Sequence, residues 1–184
     1  EEIGYNYRMS NICAGIGRGQ MTVLEDHINH HKHVAQLYAE LLSDVEGIDV
    51  HLNPNSRYDS NYWLSTITVS PDLHIKGEED VYKTAIEGAV GGAAGVVHAG
   101  GSLHTALEPN RNVEALRVWL DKAGIESRPL WKPMHAQPCY KDAPRYVNGT
   151  SDGLFRIGMC LPAGPYVSDD DVRRIVESIK EAIL

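Results

Sequence analysis

Hydrophobic residues recur at helical spacing along the first quarter of the chain. Between Ser10 and Leu42 they include Ile12, Ile16, Val23, Leu24, Ile28, Val34, Leu37, Tyr38 and Leu41. Apolar positions three and four residues apart are typical of an amphipathic helix, and a serine is a common N-cap. The pattern predicts one long helix, or two nearly collinear helices, over residues 10–42.

Three glycines interrupt the first half of this helix, at Gly15, Gly17 and Gly19. Each glycine costs up to about 1 kcal/mol relative to alanine inside a helix. Glycines would nevertheless be needed at these positions if another backbone or a ligand approaches the helix closely. We therefore predict that the first half of the helix is a packing surface, with Ile12 and Ile16 exposed unless another chain covers them.

Further elements follow from the patterns downstream. Residues 62–70, YWLSTITVS, have the β-branched and aromatic content of a strand, and EEDVYKTAIE, residues 78–87, predicts a helix. The Gly/Ala-rich segment 88–102, GAVGGAAGVVHAGGS, is no ordinary element. It lacks GxGxxG and GxxxxGK[ST], so a small-residue hairpin or loop is favoured over a phosphate loop.

The second half of the chain alternates helices with short strands. Helices are predicted at Asn112–Ala123 with Gly124 after the end, at Ser151–Ile157, and at Ser168–Ile183, where Ser168 and Asp171 resemble a capping box. Strands are predicted at 125–128 and 159–161. Few strands and long helices predict an α+β fold, with helices covering a small, mostly antiparallel sheet.

Composition narrows the possible partners. The 184 residues carry a net charge of −8, which argues against nucleic acid as the main partner. No stretch of 18 apolar residues suggests a membrane span, so we expect a cytoplasmic protein without membrane contact. The sequence opens EEIGYNYR, without methionine. We expect the chain to be a fragment of a longer protein.

A histidine cluster lies in EDHINHHKHV. His27 and His31 are four residues apart and His30 is next to them, a spacing that allows two imidazoles to hold one metal ion. No third ligand or HExxH arrangement accompanies them. A solvated or interface face is therefore favoured over a metal site.

Two segments have the composition of a binding site for an anion. In the first, Asn6 lies between Tyr5 and Tyr7, and Arg8 follows them, so that an amide and a guanidinium stand just before the positive end of a helix. A capped helix start with structural aromatics explains this stretch equally well.

The second segment is ESRPLWKPMHAQPCY, where three prolines exclude a regular helix. Fixed backbone with outward-pointing donors suits contact with an anionic, partly planar ligand. Its candidate residues for substrate binding are Arg128, Trp131 and His135. A structural connector remains the alternative.

Three motifs in this order resemble the DegT/StrS-type nucleotide-sugar aminotransferases. They are GYNYRMSNICAGIGRGQM, GIESRPLWKPMHAQPCY and LFRIGMCLPAGPYVSDDDVRRIVESI. The likeness covers the chain except residues 73–111, an insertion relative to the family. It implies the C-terminal small domain of a fold-type I pyridoxal-phosphate transferase, which is α/β overall in the parent protein.

The resemblance also implies chemistry and partners. Such enzymes use pyridoxal 5′-phosphate to move an amino group, usually from glutamate, to a nucleotide-linked keto sugar, and they are homodimers with shared active sites. Asn6 would contact the cofactor phosphate of the neighbouring subunit, Arg8 is a weaker cofactor-binding candidate, and His135 would lie near the sugar nucleotide. The family's Schiff-base lysine belongs to a large domain that precedes GYNYR, so no catalytic residue is expected here.

The expected organisation is residues 1–44 as the end of the large domain and its connecting helix, and 45–184 as the small domain. We expect the chain alone to be inactive. Two rival hypotheses are a non-catalytic dimerising or regulatory module of the same fold, and a metal-binding helical domain built on the histidines.

Overall fold

A four-stranded antiparallel sheet forms the centre of the computed structural model, which describes residues 8–82 and 107–184. Its strands are β1 (Ile48–Val50), β2 (Ser65–Val69), β3 (Arg128–Pro129) and β4 (Gly158–Leu161), in the order β1-β2-β4-β3. β4 pairs with β2 on one side and with β3 on the other, so Cys160 lies between Thr66 and Arg128.

Five α-helices are present in the described part of the chain. They are α1 (Asn11–Gln20), α2 (Leu24–Leu41), α3 (Arg111–Lys122), α4 (Thr150–Ile157) and α5 (Asp169–Ala182). Two single 3₁₀ turns, Met134–Ala136 and Pro138–Tyr140, occupy the proline-rich segment. None of the helices described is both long and apolar enough to cross a membrane.

The core lies between one face of the sheet and three helices. α2 and α3 pack against α5, and α2 also packs against β1 and β2. Because side chains alternate along a strand, Ile67 and Met159 point into this core and are fully buried, whereas Thr66 and Cys160 belong to the opposite face. Tyr38 of α2 is fully buried, and its hydroxyl donates to the Pro162 carbonyl at 3.0 Å.

The predicted α+β fold is confirmed, with differences at element ends. The helical pattern over residues 10–42 forms two helices, α1 and α2, because residues 21–23 turn between them. Ser10 is the N-cap, accepting from the Cys13 backbone N–H at 3.2 Å. No residue of α1 is buried, and Ile12 and Ile16 are 76% and 61% exposed, as predicted.

The helix predicted over residues 78–87 is absent from the first half of that range, which the structure describes. Residues 78–82 form turns, in which the Glu78 side chain accepts from the Ile75 backbone N–H at 3.1 Å and contacts His74. Tyr82 has a positive φ of 67°, which a helix does not contain. The rest of that prediction, and the Gly/Ala-rich segment 88–102, lie outside the described residues.

The C-terminal predictions match more closely. α3 covers residues 111–122, and Gly124 has a φ of 69°, as expected just beyond a helix end. Ser168 and Asp171 form the predicted capping box at the start of α5. The strand predicted over 125–128 is displaced to Arg128–Pro129.

Asn112 holds the start of α3 against the turn after β2. Its side chain is 4% exposed and its amide donates to the carbonyls of Ser70 and Leu73 at 2.8 and 2.9 Å. Buried carbonyls that lose their donor retain the cost of desolvation. One amide therefore fixes the position of α3 relative to β2.

Asn112→Ala should lower the free energy of unfolding by about 1–3 kcal/mol, because two carbonyls lose their donor. Asn112→Asp should cost more, since a carboxylate would face both carbonyl oxygens. Urea denaturation followed by circular dichroism measures both. Asn110→Ala is the matched control, because the Asn110 side chain makes no capping hydrogen bond. An equal loss in the control would contradict this role.

Gly158 allows a close approach between β4 and the loop after β3. A Cβ there would overlap the Leu130 side chain and lie 2.6 Å from the Leu154 carbonyl oxygen. The Leu130 backbone N–H donates to the Gly158 carbonyl at 3.1 Å. The missing side chain thus lets Leu130 pack directly on β4.

We expect Gly158→Ala to destabilise the fold by about 1–3 kcal/mol through overpacking. Gly153→Ala is the control within α4, where an added Cβ meets nothing within 4 Å. Replacing a helical glycine with alanine should there stabilise by about 0.5–1 kcal/mol. Thermal and urea denaturation of both variants test the difference in sign.

Candidate functional site

A cleft of about 800 Å³ opens beside β3 and the sheet face opposite the main core. Its walls come from the residues before β2, β3 with its following loop, the residues before α3 and in its first turn, and α4, together with Tyr82 and Cys160. Phe155 of α4 is 6% exposed and Cys160 of β4 is 5% exposed, so the inner part of the cleft is apolar. The outer part carries charged and aromatic side chains.

The loop before β2 is held by a series of local hydrogen bonds. The backbone N–H groups of Ser60, Tyr62 and Trp63 donate to the side chains of Asn53, Ser60 and Asn61, respectively. The Tyr62 hydroxyl accepts from the Asn53 backbone N–H at 2.7 Å. Asn and Ser favour such turns because their short side chains bond nearby backbone groups. This arrangement fixes the backbone that carries Trp63.

The opposite wall is fixed by β3. Pairing of Arg128 with Cys160 and packing of Leu130 against Gly158 determine where the next residues lie. Trp131 then contacts Trp63, with ring centroids 5.9 Å apart and an interplanar angle of 34°. The two indoles come from positions 68 residues apart yet form one aromatic surface.

Two cationic side chains, Lys132 and Arg128, line the same cleft as the two indoles. Lys132 Nζ lies 3.0 Å from Glu108 Oε1 and 5.9 Å from the centroid of the Phe155 ring. The Arg128 guanidinium contacts Glu126 at 2.6 Å, and both side chains are about three-quarters exposed. The cleft therefore combines indoles with an ammonium and a guanidinium, each with a carboxylate partner.

Two further groups in the cleft remain uncharged near neutral pH. Burial raises the pKa of the Cys160 thiol, so this cysteine lacks the thiolate that a nucleophile needs. Tyr82 has its pKa raised to about 12, first by burial and then by Glu114 and Glu108. Its hydroxyl donates to the Pro109 carbonyl at 2.9 Å. Both groups act as neutral walls.

His135 lies in a smaller hollow of about 270 Å³, which also includes Tyr140 and Tyr146. Its Nε2 is 2.8 Å from Asp152 Oδ1 at the start of α4, and its own side chain is 17% exposed. The contact lacks hydrogen-bond geometry, since Asp152 Oδ1 is buried without a hydrogen-bond partner in the described part of the chain. Nothing in the local sequence pattern indicated this pair.

The predicted site residues are only partly brought together. Arg128 and Trp131 line the same cleft, whereas His135 lines the adjacent hollow. Arg8 is exposed and precedes the N-cap of α1, and Asn6 lies outside the described residues. Trp63, Phe155 and Asp152 were not predicted.

The histidines of α2 form no metal centre within the described residues. No group of three or more His, Cys, Asp or Glu side chains there is arranged to hold a metal ion. His33 Nε2 instead contacts Asp169 Oδ1 of α5 at 2.7 Å. His31 lines a third hollow, of about 410 Å³, beside Ser127 and Trp63. The metal-binding hypothesis gains no support from these positions.

Comparison with known proteins shows which family the chain resembles. The sequence model of the DegT/DnrJ/EryC1/StrS aminotransferase family matches residues 1–94 and 94–180. EpsN of Bacillus subtilis, named as a pyridoxal phosphate-dependent aminotransferase, is 29% identical over 96% of this chain. The GDP-perosamine synthase of Vibrio cholerae is 27% identical over 97% of it. The chain spans 36% and 38% of these two relatives, little more than a third of their length.

Solved structures show the same fold. PseC of Helicobacter pylori, an aminotransferase involved in the biosynthesis of pseudoaminic acid, superposes with a TM-score of 0.65 at 17% identity. The match covers 99% of this chain and 39% of that one. At this identity the likeness concerns the backbone fold.

The environment of His31 predicts a dependence of stability on pH. Burial lowers its pKa from the ordinary value of 6.5, with further lowering by His30 and His27. The fold thus favours the neutral ring, and this contribution is present above about pH 6.5 and lost as the pH falls toward the folded-state pKa. His31→Gln should flatten the fall in unfolding free energy over that range.

Urea denaturation at a series of pH values measures this effect. His51→Gln is the control, since His51 contacts Thr68 on the sheet rather than α2. An unchanged pH slope in His31→Gln would exclude His31 as its source.

Proposed function

Because the chain belongs to the DegT/DnrJ/EryC1/StrS aminotransferase family, we propose that it is part of an enzyme that transfers an amino group to a nucleotide-linked keto sugar. Glutamate is the proposed amino donor. The aminotransferases of this family depend on pyridoxal 5′-phosphate. The name of the Vibrio cholerae relative, a GDP-perosamine synthase, supports a nucleotide sugar as the substrate class.

The observation that carries the proposal is the composition of the cleft beside β3. Small-molecule sites are concave and mostly apolar, with a few polar groups that orient the ligand. Trp131 offers an exposed aromatic face, Arg128 a planar cation, and Phe155 an apolar floor. The nucleotide part of a sugar nucleotide needs aromatic and apolar surface for its flat base and cations for its charged phosphates.

The described residues do not fit pyridoxal phosphate by themselves. The cofactor supplies an electron sink and is bound covalently through a lysine amine. Lys132 is the lysine that lines the cleft, and its sequence context matches none of the family's lysine contexts. We therefore assign the covalent lysine and the carboxylate for the ring nitrogen to the large domain of the family. The present chain would supply phosphate contacts and substrate walls.

We assign the phosphate contacts to Asn6 and Arg8, acting on the cofactor of a neighbouring subunit. Charge-assisted hydrogen bonds from a guanidinium suit phosphate oxygens. Arg8 is exposed and lies just before α1, where the positive end of the helix dipole adds to its charge. The wholly exposed α1 supports a homodimer or an interdomain contact in this region, because Ile12 and Ile16 otherwise face water.

The division of the chain follows from this proposal. Residues 1–44 would join the large domain to the small one, and residues 45–184 would form the small domain of a fold-type I transferase. His135, whose Nε2 lies 2.8 Å from Asp152 Oδ1, would contact the sugar nucleotide from the hollow next to the cleft. These side chains bind and orient the substrate, and they carry out no covalent step.

The experiment uses a joined polypeptide, in which this chain follows the large domain of the family. Arg8→Ala should raise the dissociation constant for pyridoxal phosphate roughly 10- to 100-fold, the loss of one charged hydrogen bond. Asn6→Ala should act in the same direction. Cofactor titration followed by absorbance measures both changes, and amino transfer from glutamate to nucleotide-linked keto sugars measures activity.

Arg18→Ala is the matched control, since Arg18 lies in the last turn of α1, away from the proposed phosphate contact. Equal cofactor affinities in Arg8→Ala and Arg18→Ala would show that Arg8 does not contact the cofactor phosphate. A joined polypeptide that binds cofactor but turns over no sugar nucleotide would favour the non-catalytic module instead.

A further inference from the structure

We propose that the cleft beside β3 binds the nucleoside diphosphate end of the substrate, with the base stacked on Trp63 and Trp131 and the phosphates on Arg128 and Lys132. This inference rests on the proposed function for the identity of the substrate. It adds which part of the substrate the cleft holds, and it gives Trp63 a role in recognition.

The first argument is the exposure of the two indoles. Trp63 and Trp131 are 64% and 65% exposed, although large aromatic side chains gain free energy from burial. Neither ring fills the core, so fold stability does not account for this placement. An exposed aromatic pair beside a cavity is typical of a ligand-binding surface.

The geometry of the pair determines how a ligand can stack. Their centroid distance of 5.9 Å already corresponds to contact between aromatic rings. A base cannot enter between them and must stack on an outer face, where the tilt of 34° allows one flat ligand to touch both rings. The local hydrogen bonds before β2 and the pairing of β3 hold both backbones in place.

The second argument is the placement of charge. Lys132 and Arg128 bracket Trp131 in the sequence and line the same cleft. Their present partners, Glu108 and Glu126, lie on the surface, and surface ion pairs contribute little to stability. Phosphate oxygens can therefore replace these carboxylates at small cost, and Arg128 can bind two of them through its planar fork.

The chemistry of the surface suits a nucleobase. Base stacking on an aromatic side chain uses the π face that every nucleobase has, whereas a pyranose can place only its C–H groups on an indole. The volume of about 800 Å³ lies within the range of small-molecule sites. The sugar end would then extend from the phosphates, and we assign it no contact in the cleft.

Isothermal titration calorimetry on the 184-residue chain tests this assignment with UDP, GDP and dTDP as probes. At least one of them should bind, and Trp63→Ala and Trp131→Ala should each raise its dissociation constant roughly 10- to 100-fold. Both side chains are mostly exposed, so the fold should survive, as circular dichroism will verify. Tyr58→Ala is the matched control, because Tyr58 is 59% exposed and lies outside the cleft lining.

Pyrophosphate and a hexose 1-phosphate separate the parts of the ligand. Pyrophosphate should bind more weakly than the nucleotide. Its affinity should be unchanged in Trp63→Ala and lower in Arg128→Ala. The assignment is overturned if none of the three nucleotides binds, if Trp63→Ala matches Tyr58→Ala, or if the hexose 1-phosphate binds as well as the nucleotides.

The measurement contains neither cofactor nor amino donor. A failure of amino transfer in the joined polypeptide therefore leaves this result unaffected. Conversely, if the tryptophan variants bind the nucleotides normally, the aminotransferase proposal is unaffected and is tested by the cofactor titration and the activity measurement.

Discussion

The pairing of β4 with β2 and β3 determines which side chains meet in the cleft. Backbone hydrogen bonds set the register, so Cys160 lies between Thr66 and Arg128 and the two flanking segments emerge on either side of it. A slip of one residue would turn Met159 out of the core and Cys160 into it. One register of β4 therefore determines both the core side and the cleft side of the sheet, and all four residues of β4 are buried between them.

The sequence predicted correctly the features that depend on residues close together along the chain. The capping box at Ser168 and the positive φ at Gly124 follow from side-chain and backbone chemistry within a few residues, and both are present. The shift of the strand at 125–128 reflects tertiary pairing, since only Arg128 and Pro129 align with β4. Residues 78–82 form turns instead of the predicted helix, and Tyr82 has a positive φ that a helix does not contain.

The site was predictable in part for the same reason. The three prolines around Trp131 and Lys132 mark an irregular, exposed segment, so Arg128 and Trp131 could be chosen from sequence. Trp63 and Asp152 could not, because their partners are distant along the chain: Trp63 meets Trp131, and Asp152 meets His135. A strand pattern explains Trp63 as an ordinary β-forming residue, and only the fold shows that it faces another indole.

Contacts between α2 and the C-terminal part of the chain have a mechanical consequence. The buried Tyr38 hydroxyl bonds the Pro162 carbonyl, His33 pairs with Asp169, and Asp44 just beyond α2 pairs with Lys180. The two ion pairs are exposed and contribute little, so the hydrogen bond of the buried Tyr38 is the strongest of the three links. A displacement of α2 would be passed through it to Pro162, which directly follows β4, and so to the wall of the cleft.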